Sequence, residues 1–142
     1  MKMKTMLTLV VILLAGALLL CCLTGHATGA EPSRYPPTSG YDQIDNSLAR
    51  ARASAVHSNR LLMVVMGADW CHDSRAFIDY LDDPAFAALI AERYLVERVN
   101  VGFYDHVRGV VNHWGVPIIY GTPTVLVIEP NSNTVLNRAS LA

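Results

Sequence analysis

The chain has 142 residues, of which 52% are hydrophobic and 16% are charged, and its formal net charge is -1 with neutral histidines. This balance is that of one globular domain with an additional, very apolar segment. The arginines are scattered along the chain rather than clustered, so the sequence predicts no nucleic-acid partner.

The apolar segment lies at the N terminus and has the pattern of an export signal. Lys2 and Lys4 precede residues 5–23, which carry no charge. A cleaved signal peptide has an apolar stretch of about 7 to 15 residues and a membrane-spanning helix needs about 20, so two outcomes stay open. Cleavage after small residues near position 30 is favoured, and retention as a membrane anchor is the alternative. Both outcomes predict an exported, periplasmic domain.

A third outcome, lipid attachment to Cys21 or Cys22, is disfavoured because bulky leucines precede them. The predicted organisation is therefore a signal peptide or membrane anchor over residues 1–30, a linker over 31–40 and one domain over 41–142. The linker is predicted because residues 31–40 contain three prolines, two serines and a glycine.

The domain is expected to begin with a helix and a buried strand. Asp42 can cap a helix that ends near residue 59. Its apolar positions at helical spacing are Ile44, Leu48, Ala51 and Ala55. Residues 61–66 are six consecutive apolar residues, the pattern of a central strand that is buried on both faces of a sheet.

Two helices are predicted next, the first from about residue 71 to 81. Asp83 and Pro84 interrupt it, and they suit the N-cap and the first position of a new helix. The expected apolar sides are Phe77, Ile78 and Leu81 in the first of these helices and Phe86, Leu89 and Ile90 in the second.

The remaining chain is predicted to form strands around one short helix. Strands are expected over residues 94–101, 124–128 and 134–136, the last two paired as a hairpin across a turn. The short helix, around residues 106–114, would bury Val107, Val110, Val111 and Trp114. Strands that alternate with helices favour a layered α/β domain whose reactive groups lie at the carboxyl ends of parallel strands, and Cys71 lies just past such an end.

Cys71 is the only cysteine outside the N-terminal segment, so the predicted domain has no internal disulfide. In an oxidising compartment an unpaired thiol indicates a reactive group or a disulfide between molecules. The plain alternative is a buried cysteine that acts as a small apolar side chain.

The sequence ADWC at residues 68–71 between a strand and a helix, with GTPT at 121–124 before a strand and hairpin, resembles the thioredoxin-like proteins, and in particular small exported bacterial members. The resemblance spans about residues 41–138 and implies a thioredoxin-like α/β fold with a mixed central sheet flanked by helices. Such domains normally end in a further helix after the hairpin. Only residues 139–142 follow the last strand, so that helix is expected to be missing from the sequence.

The resemblance also implies roles for individual residues. Cys71 would be the nucleophile at the start of a helix, where the helix dipole and free N–H groups stabilise a thiolate. Trp70 would shield this thiol. Pro123 would be a cis-proline opposite the sulfur, and Thr122 would offer backbone hydrogen bonds to a bound peptide.

The chain departs from the family pattern at two positions. Ser74 stands in place of the second cysteine of the C-x-x-C motif, and Val65 stands where thioredoxin itself has a buried acid. A serine hydroxyl cannot resolve a mixed disulfide, so Cys71 would depend on an outside thiol to complete a cycle. Ser74 could still donate a hydrogen bond to the thiolate, and a plain serine on the helix surface is the alternative.

The neighbours of Cys71 allow other interpretations that we weigh against exchange chemistry. His72 would lower and Asp73 would raise the pKa of the thiol, and the sequence does not decide the sum. Together with Cys71 these residues have the composition of a hydrolase triad, but consecutive side chains at a helix start diverge. A distant base would have to come from His57, His106 or His113.

No C-x-x-C or H-x-x-x-H pair completes a metal site, and neither a metal nor a cofactor is expected. The sequence therefore predicts an exported thioredoxin-like protein whose Cys71 forms mixed disulfides, with protein or small-molecule thiols and disulfides as partners. Two alternatives stay open. One is a binding module that keeps the groove around Pro123 and has lost redox chemistry, and the other is a dimer joined by a disulfide between two copies of Cys71.

Overall fold

The computed structural model describes residues 31–38, 40–105, 114–116, 119 and 121–141. The predictions for residues 1–30 and for most of the helix around 106–114 lie outside the described residues. The elements below belong to the compact unit Ser33–Ala142. Within the described part of the chain, no helix is both long and apolar enough to cross a bilayer.

The first helix and strand follow the predicted patterns closely. Helix α1 (Tyr41–His57) buries the four apolar positions predicted for it. Gly40 is its N-cap, so the prediction of an Asp42 cap is wrong. Asp42 lies in the first turn, where a carboxylate is stabilised by the helix dipole. Strand β1 (Leu61–Gly67) is buried from its second residue to its last, as expected of a central strand.

The sheet is mixed, with the strand order β2-β1-β3-β4. Strand β2 (Tyr94–Asn100) runs parallel to β1, while β3 (Thr124–Glu129) is antiparallel to it. The short β4 (Thr134–Val135) pairs with β3 as the predicted hairpin. In this register the carboxyl ends of β1 and β2 and the amino end of β3 meet at one edge of the sheet. We call it the active edge, because Cys71 follows it.

Two helices follow β1. Helix α2 (His72–Asp82) buries Ile78 and Leu81, as predicted, and also buries Ser74. Helix α3 (Pro84–Arg93) begins where Asp83 and Pro84 predicted a new start, and the Asp83 carboxylate accepts a hydrogen bond of 2.9 Å from the backbone N–H of Ala85.

The burial predicted for the apolar side of α3 is only partly correct. Leu89 is 61% exposed, so the prediction that it faces the core is wrong. Ile90 packs partly against the core, and the ring of Phe86 lies on that of Tyr80 with centroids 4.0 Å apart. Helix α3 buries none of its residues fully, so an apolar repeat in its sequence does not place every member inside.

The alternating residues of β1 separate two hydrophobic clusters. Leu62, Val64 and Met66 pack with α1 on one face, and Met63 and Val65 pack with α2 on the other. Trp114 belongs to the α1 side and is 6% exposed, which confirms its predicted burial. After β4 the chain forms a short 3₁₀ helix (Arg138–Leu141).

Residues 33–37, which we call the N-terminal strap, differ from the linker predicted for residues 31–40. The strap packs against the α2 side of the domain through Tyr35, which is only 3% exposed. Its composition rules out a regular element, as expected. Composition could not show, however, that its backbone and side chains would bind residues 35 to 64 positions further along the chain.

Candidate functional site

The site is built around Cys71, which lies just after the active edge as the N-cap of α2. Its backbone is extended, its N–H donates to the Ala68 carbonyl at 3.1 Å, and its carbonyl accepts from the Arg75 N–H at the same distance. The sulfur therefore lies at the positive end of an eleven-residue helix. Free N–H groups at this end favour a thiolate over a thiol.

The second part of the site comes from the segment before β3. The Cys71 thiol donates a hydrogen bond of 3.3 Å to the carbonyl oxygen of Thr122, 51 residues away in sequence. The following peptide bond, between Thr122 and Pro123, is cis. The structure thus brings together the two motifs that the sequence analysis singled out, and it places the thiol against the Thr122 backbone.

The pKa of the Cys71 thiol lies below its ordinary value. The largest cause is the Ser74 hydroxyl, followed by the Thr122 side chain, and the backbone N–H groups of Ser74 and Asp73 add to the effect. Partial burial opposes the shift. The S–H bond to the Thr122 carbonyl also favours the neutral thiol, but the donors that face the sulfur outweigh it.

Ser74 is fully buried, so the reading of this residue as a plain serine on the helix surface is wrong. Its hydroxyl oxygen makes no hydrogen bond of ordinary geometry with any described residue. A buried hydroxyl without a partner is costly, and it is uncommon in folded proteins. The nearby sulfur offers it an acceptor once the thiol ionises, which is why this hydroxyl lowers the pKa of Cys71.

His72 and Asp73 lie at the surface and are 84% and 81% exposed at their side chains. The imidazole Nδ1 and the carboxylate are 3.2 Å apart, so the two side chains pair with each other in solvent. Neither charged group is a cause of the lowered pKa of Cys71, to which Asp73 contributes only through its backbone. The opposed effects expected from these neighbours are therefore not what tunes the thiol.

Trp70 is about half exposed and is fixed by contacts with the loop after β2. Its indole N–H donates to the Gly102 carbonyl at 2.8 Å. The ring stacks on Phe103 with centroids 6.0 Å apart and meets Tyr104 edge-on at 5.9 Å. Phe103 is 81% exposed, so the two stacked rings form an open aromatic surface next to the thiol. A cavity of about 270 Å³ on this side has a lining that includes Asp69 and Asn100.

Sequence reasoning missed two residues that shape the site. The Tyr35 ring lies beneath the first turn of α2, and its hydroxyl donates to the Ser74 carbonyl at 3.5 Å. Burial raises the pKa of Tyr35 to about 12. A Cβ atom at Gly67 would lie 2.3 Å from the Tyr35 hydroxyl oxygen and 2.7 Å from the Ser74 hydroxyl oxygen. A glycine at the end of a buried strand is a signal of such close approach, whereas nothing in the sequence indicated Tyr35.

Among the described residues, the geometry gives no support to a hydrolase. His57 ends α1 and precedes β1, while Cys71 follows the opposite end of β1. A strand of seven residues spans about 20 Å, so His57 cannot act as a base for this thiol. His106 and His113 lie outside the described residues. Within the part of the chain that the structure describes, no group of three or more metal-ligating side chains is found.

Comparisons with known proteins identify the fold independently. A family model described as thioredoxin-like matches residues 43–130. Among solved structures, the chain is similar to the crystal structure of disulphide isomerase from Xylella fastidiosa Temecula1. The two are 28% identical, the TM-score is 0.59, and the match covers 75% of this chain and 78% of that one. No curated protein matches the chain. Together with the mixed sheet, these matches confirm the predicted fold class.

Proposed function

The chain belongs to the thioredoxin-like family, and on that premise we propose that it is an extracytoplasmic thiol–disulfide exchange protein with Cys71 as its single nucleophile. The observation that carries the proposal is the setting of the sulfur. Cys71 is partly exposed at the start of α2, next to Thr122 and above a buried Ser74 hydroxyl, and its pKa is lowered. A lowered pKa raises the fraction of thiolate, which is the form that attacks disulfides.

The proposed reaction begins with attack by the Cys71 thiolate on one sulfur of a substrate disulfide, R–S–S–R′. A bond forms between the Cys71 sulfur and the attacked sulfur while the substrate S–S bond breaks. The leaving thiolate, R′–S⁻, keeps the electron pair of the broken bond and is free to take a proton from solvent. The product is a mixed disulfide between Cys71 and R, and no external oxidant or reductant is consumed.

Ser74 determines how this mixed disulfide can end. Its hydroxyl cannot displace the substrate, so a second thiolate must attack the R sulfur and release Cys71. When R and R′ belong to one protein, a thiolate of that protein can do this and leave a rearranged disulfide. Isomerisation therefore suits a site with one cysteine. The similarity to a protein titled disulphide isomerase supports this assignment, as does the open aromatic surface that the exposed Trp70 and Phe103 rings form.

The exchange proposal is tested with a small aromatic disulfide whose released thiol absorbs light. The full chain carries Cys21→Ser and Cys22→Ser, so that Cys71 is the only thiol. We expect adduct formation at pH 7 to be faster than for a free cysteine peptide, because more of Cys71 is thiolate, with a mass increase confined to Cys71 and no reaction in a further Cys71→Ser variant.

Ser74→Cys tests the geometry of the same site. Residues three apart at a helix start can form a disulfide, so this variant should clear its own adduct and reduce insulin, whereas the parent should stall at the mixed disulfide. If Ser74→Cys leaves the insulin-reduction rate unchanged, the proposed arrangement of residues 71 and 74 is wrong.

A second candidate function is a binding module that keeps the groove around Pro123 without turnover. It is supported by the replacement of both redox-supporting residues of thioredoxin, with Ser74 and Val65 in their places. This module requires a sluggish thiol. A Cys71 that titrates at or above about 8.5 and reacts no faster than the peptide would favour it over exchange. A disulfide-linked dimer, the third reading, would be visible on a non-reducing gel and would disappear in Cys71→Ser.

Export is proposed from the N-terminal sequence, in which two lysines precede nineteen uncharged residues. The domain would then be released into the periplasm by cleavage near residue 30 or remain attached to the membrane through residues 5–23. Fractionation of cells that express the full chain, with intact-mass measurement of the product, separates these outcomes. Recovery of the uncleaved chain in the cytoplasmic fraction would refute the export proposal.

A further inference from the structure

Gly67, Tyr35 and Ser74 meet beneath the first turn of α2, which follows Cys71. Gly67 ends β1 without a side chain, and the Tyr35 and Ser74 hydroxyl oxygens both approach the space that a Cβ atom would occupy there. Tyr35 is 3% exposed and Ser74 is 0% exposed. Two hydroxyl groups are therefore enclosed side by side under Cys71. Two residues before Gly67, on the same face of β1, lies the buried and apolar Val65.

The hydrogen-bonding capacity of these two groups is limited. A tyrosine hydroxyl has one proton, and that of Tyr35 is directed at the Ser74 carbonyl. Because its pKa is raised to about 12, Tyr35 stays protonated at any pH at which the thiol ionises. What remains available on its oxygen is a lone pair. Ser74 also has one hydroxyl proton, and in the structure this proton is committed to no acceptor.

Two acceptors lie near that proton, the Tyr35 oxygen and the Cys71 sulfur. A thiolate is a strong acceptor, but a neutral thiol and a disulfide sulfur are weak ones. The preferred direction of the Ser74 O–H therefore depends on the covalent state of Cys71. If the Cys71 sulfur were the only acceptor, the buried Ser74 hydroxyl would lack a good partner in the thiol and mixed-disulfide states, and this would cost free energy.

We propose that Tyr35 is a positioning residue whose hydroxyl oxygen accepts a hydrogen bond from the Ser74 O–H whenever the Cys71 sulfur is uncharged, in the thiol and in the mixed disulfide. Ionisation of Cys71, or its release from a substrate, turns the Ser74 O–H from Tyr35 to the sulfur. This inference rests on the proposed exchange function for its mixed-disulfide stage. It assigns Tyr35 an effect on thiol reactivity through Ser74, without contact between Tyr35 and a substrate.

The N-terminal strap holds Tyr35 in the position that this role requires. On one side of it, the Arg34 backbone N–H donates to the Asp69 carboxylate at 2.8 Å. On the other side, the Asn100 side chain donates to the Pro36 carbonyl at 2.9 Å. Asp69 lies in the loop that carries Cys71, and Asn100 ends β2 at the active edge. The phenol is thus fixed relative to the thiol from both sides.

The test is a double-mutant cycle in the full chain with Cys21→Ser and Cys22→Ser, read out by thiolate absorbance and alkylation rate against pH. Tyr35→Phe removes the acceptor of the neutral state and keeps the ring, so we expect the pKa of Cys71 to fall by about half a unit to one unit. The same substitution in a Ser74→Ala background should cause no shift. Tyr80→Phe, a tyrosine 52% exposed on the outer part of α2, is the matched control and should cause none.

A measurement without substitution of Tyr35 covers the case in which the variant folds poorly. With ¹³C-labelled tyrosine, the Cζ resonance of Tyr35 should shift with the midpoint of the Cys71 titration and should lose this dependence in Ser74→Ala. A Tyr35→Phe variant with unchanged or raised thiol pKa would overturn the proposal, as would an equal shift in the Ser74→Ala background.

The two proposals fail in different ways. Slow reaction of the parent protein with disulfides refutes the exchange function, whatever Tyr35→Phe does. A reactive parent whose thiol pKa does not respond to Tyr35→Phe refutes the role of Tyr35 alone.

Discussion

Replacement of Ser74 by alanine should raise the pKa of the Cys71 thiol without lowering the free energy of unfolding near neutral pH. The Ser74 hydroxyl is the largest cause of the lowered pKa of Cys71. A hydrogen bond to a charged group contributes about 1.5 to 3 kcal/mol. We take the lower end because Cys71 is partly exposed. Since one pKa unit corresponds to about 1.4 kcal/mol, Ser74→Ala should raise the pKa of the thiol by about one unit.

Near neutral pH, Ser74→Ala should leave the free energy of unfolding almost unchanged. In the structure, the Ser74 hydroxyl is buried without a hydrogen bond of ordinary geometry, and the acceptor proposed for it in the thiol form is a lone pair of Tyr35. Removing the hydroxyl leaves at most that lone pair without a donor, so the free energy of unfolding should change by less than about 1 kcal/mol near neutral pH. A thiol whose folded pKa is lowered stabilises the protein above the unfolded pKa of about 8.5, and this contribution is lost as the pH falls through the folded value.

The assay combines the pH dependence of iodoacetamide alkylation with urea unfolding at pH 6 and pH 9. Ser74→Ala should react about three- to tenfold more slowly below its thiol pKa, because it has about tenfold less thiolate and each thiolate is more nucleophilic. Relative to the parent, it should be more stable at pH 6 than at pH 9. Ser54→Ala, at an exposed position of α1, is the control and should leave the thiol unchanged. An unchanged thiol pKa in Ser74→Ala would refute the assignment of Ser74 as the main donor to the sulfur.

Three further substitutions test the surroundings of the site and one carboxylate at the opposite end of the sheet. Gly67→Ala should lower the free energy of unfolding, measured in urea, by about 1 to 3 kcal/mol, because its Cβ would overlap two buried hydroxyl groups. Gly121→Ala is the control, because the space around its Cβ is open. Equal effects of the two substitutions would contradict the close packing at Gly67. Arg34→Ala should raise the pKa of the Asp79 carboxyl, which Arg34 lowers, and should speed amide exchange in the N-terminal strap; unchanged exchange would mean that this ion pair does not hold the strap. The Glu129 carboxyl should titrate near a pKa of about 2, because Ser132 and Asn131 donate to it. Its stabilising contribution should be present above about pH 4.3 and lost as the pH falls through about 2, so the parent should lose stability relative to Glu129→Gln over that interval, and a midpoint near 4 would refute the assignment.

The regular elements were predictable because their signals are local. The spacing of Ile44 and Leu48 in α1, the apolar run of β1, and the Asp83 and Pro84 start of α3 each reflect backbone geometry within a few residues. Leu89 shows the limit of such signals. A helical repeat indicates a side that is able to be buried, but the packing partners of α3 decide how much of that side is covered.

The candidate site divides in the same way. The sequence by itself determined the candidate nucleophile, its place at a helix start after a buried strand, and the serine in place of a second thiol, because these depend on residue type and on order along the chain. Only the tertiary structure decided that Ser74 faces inward, that Trp70 packs against the loop after β2, and that Tyr35 lies beneath the first turn of α2. Those facts depend on contacts between residues 30 to 40 positions apart, which are set by sheet register and by the path of a strap without periodicity. The sequence therefore identifies the candidate reactive sulfur, while the contacts that lower its pKa come from the fold.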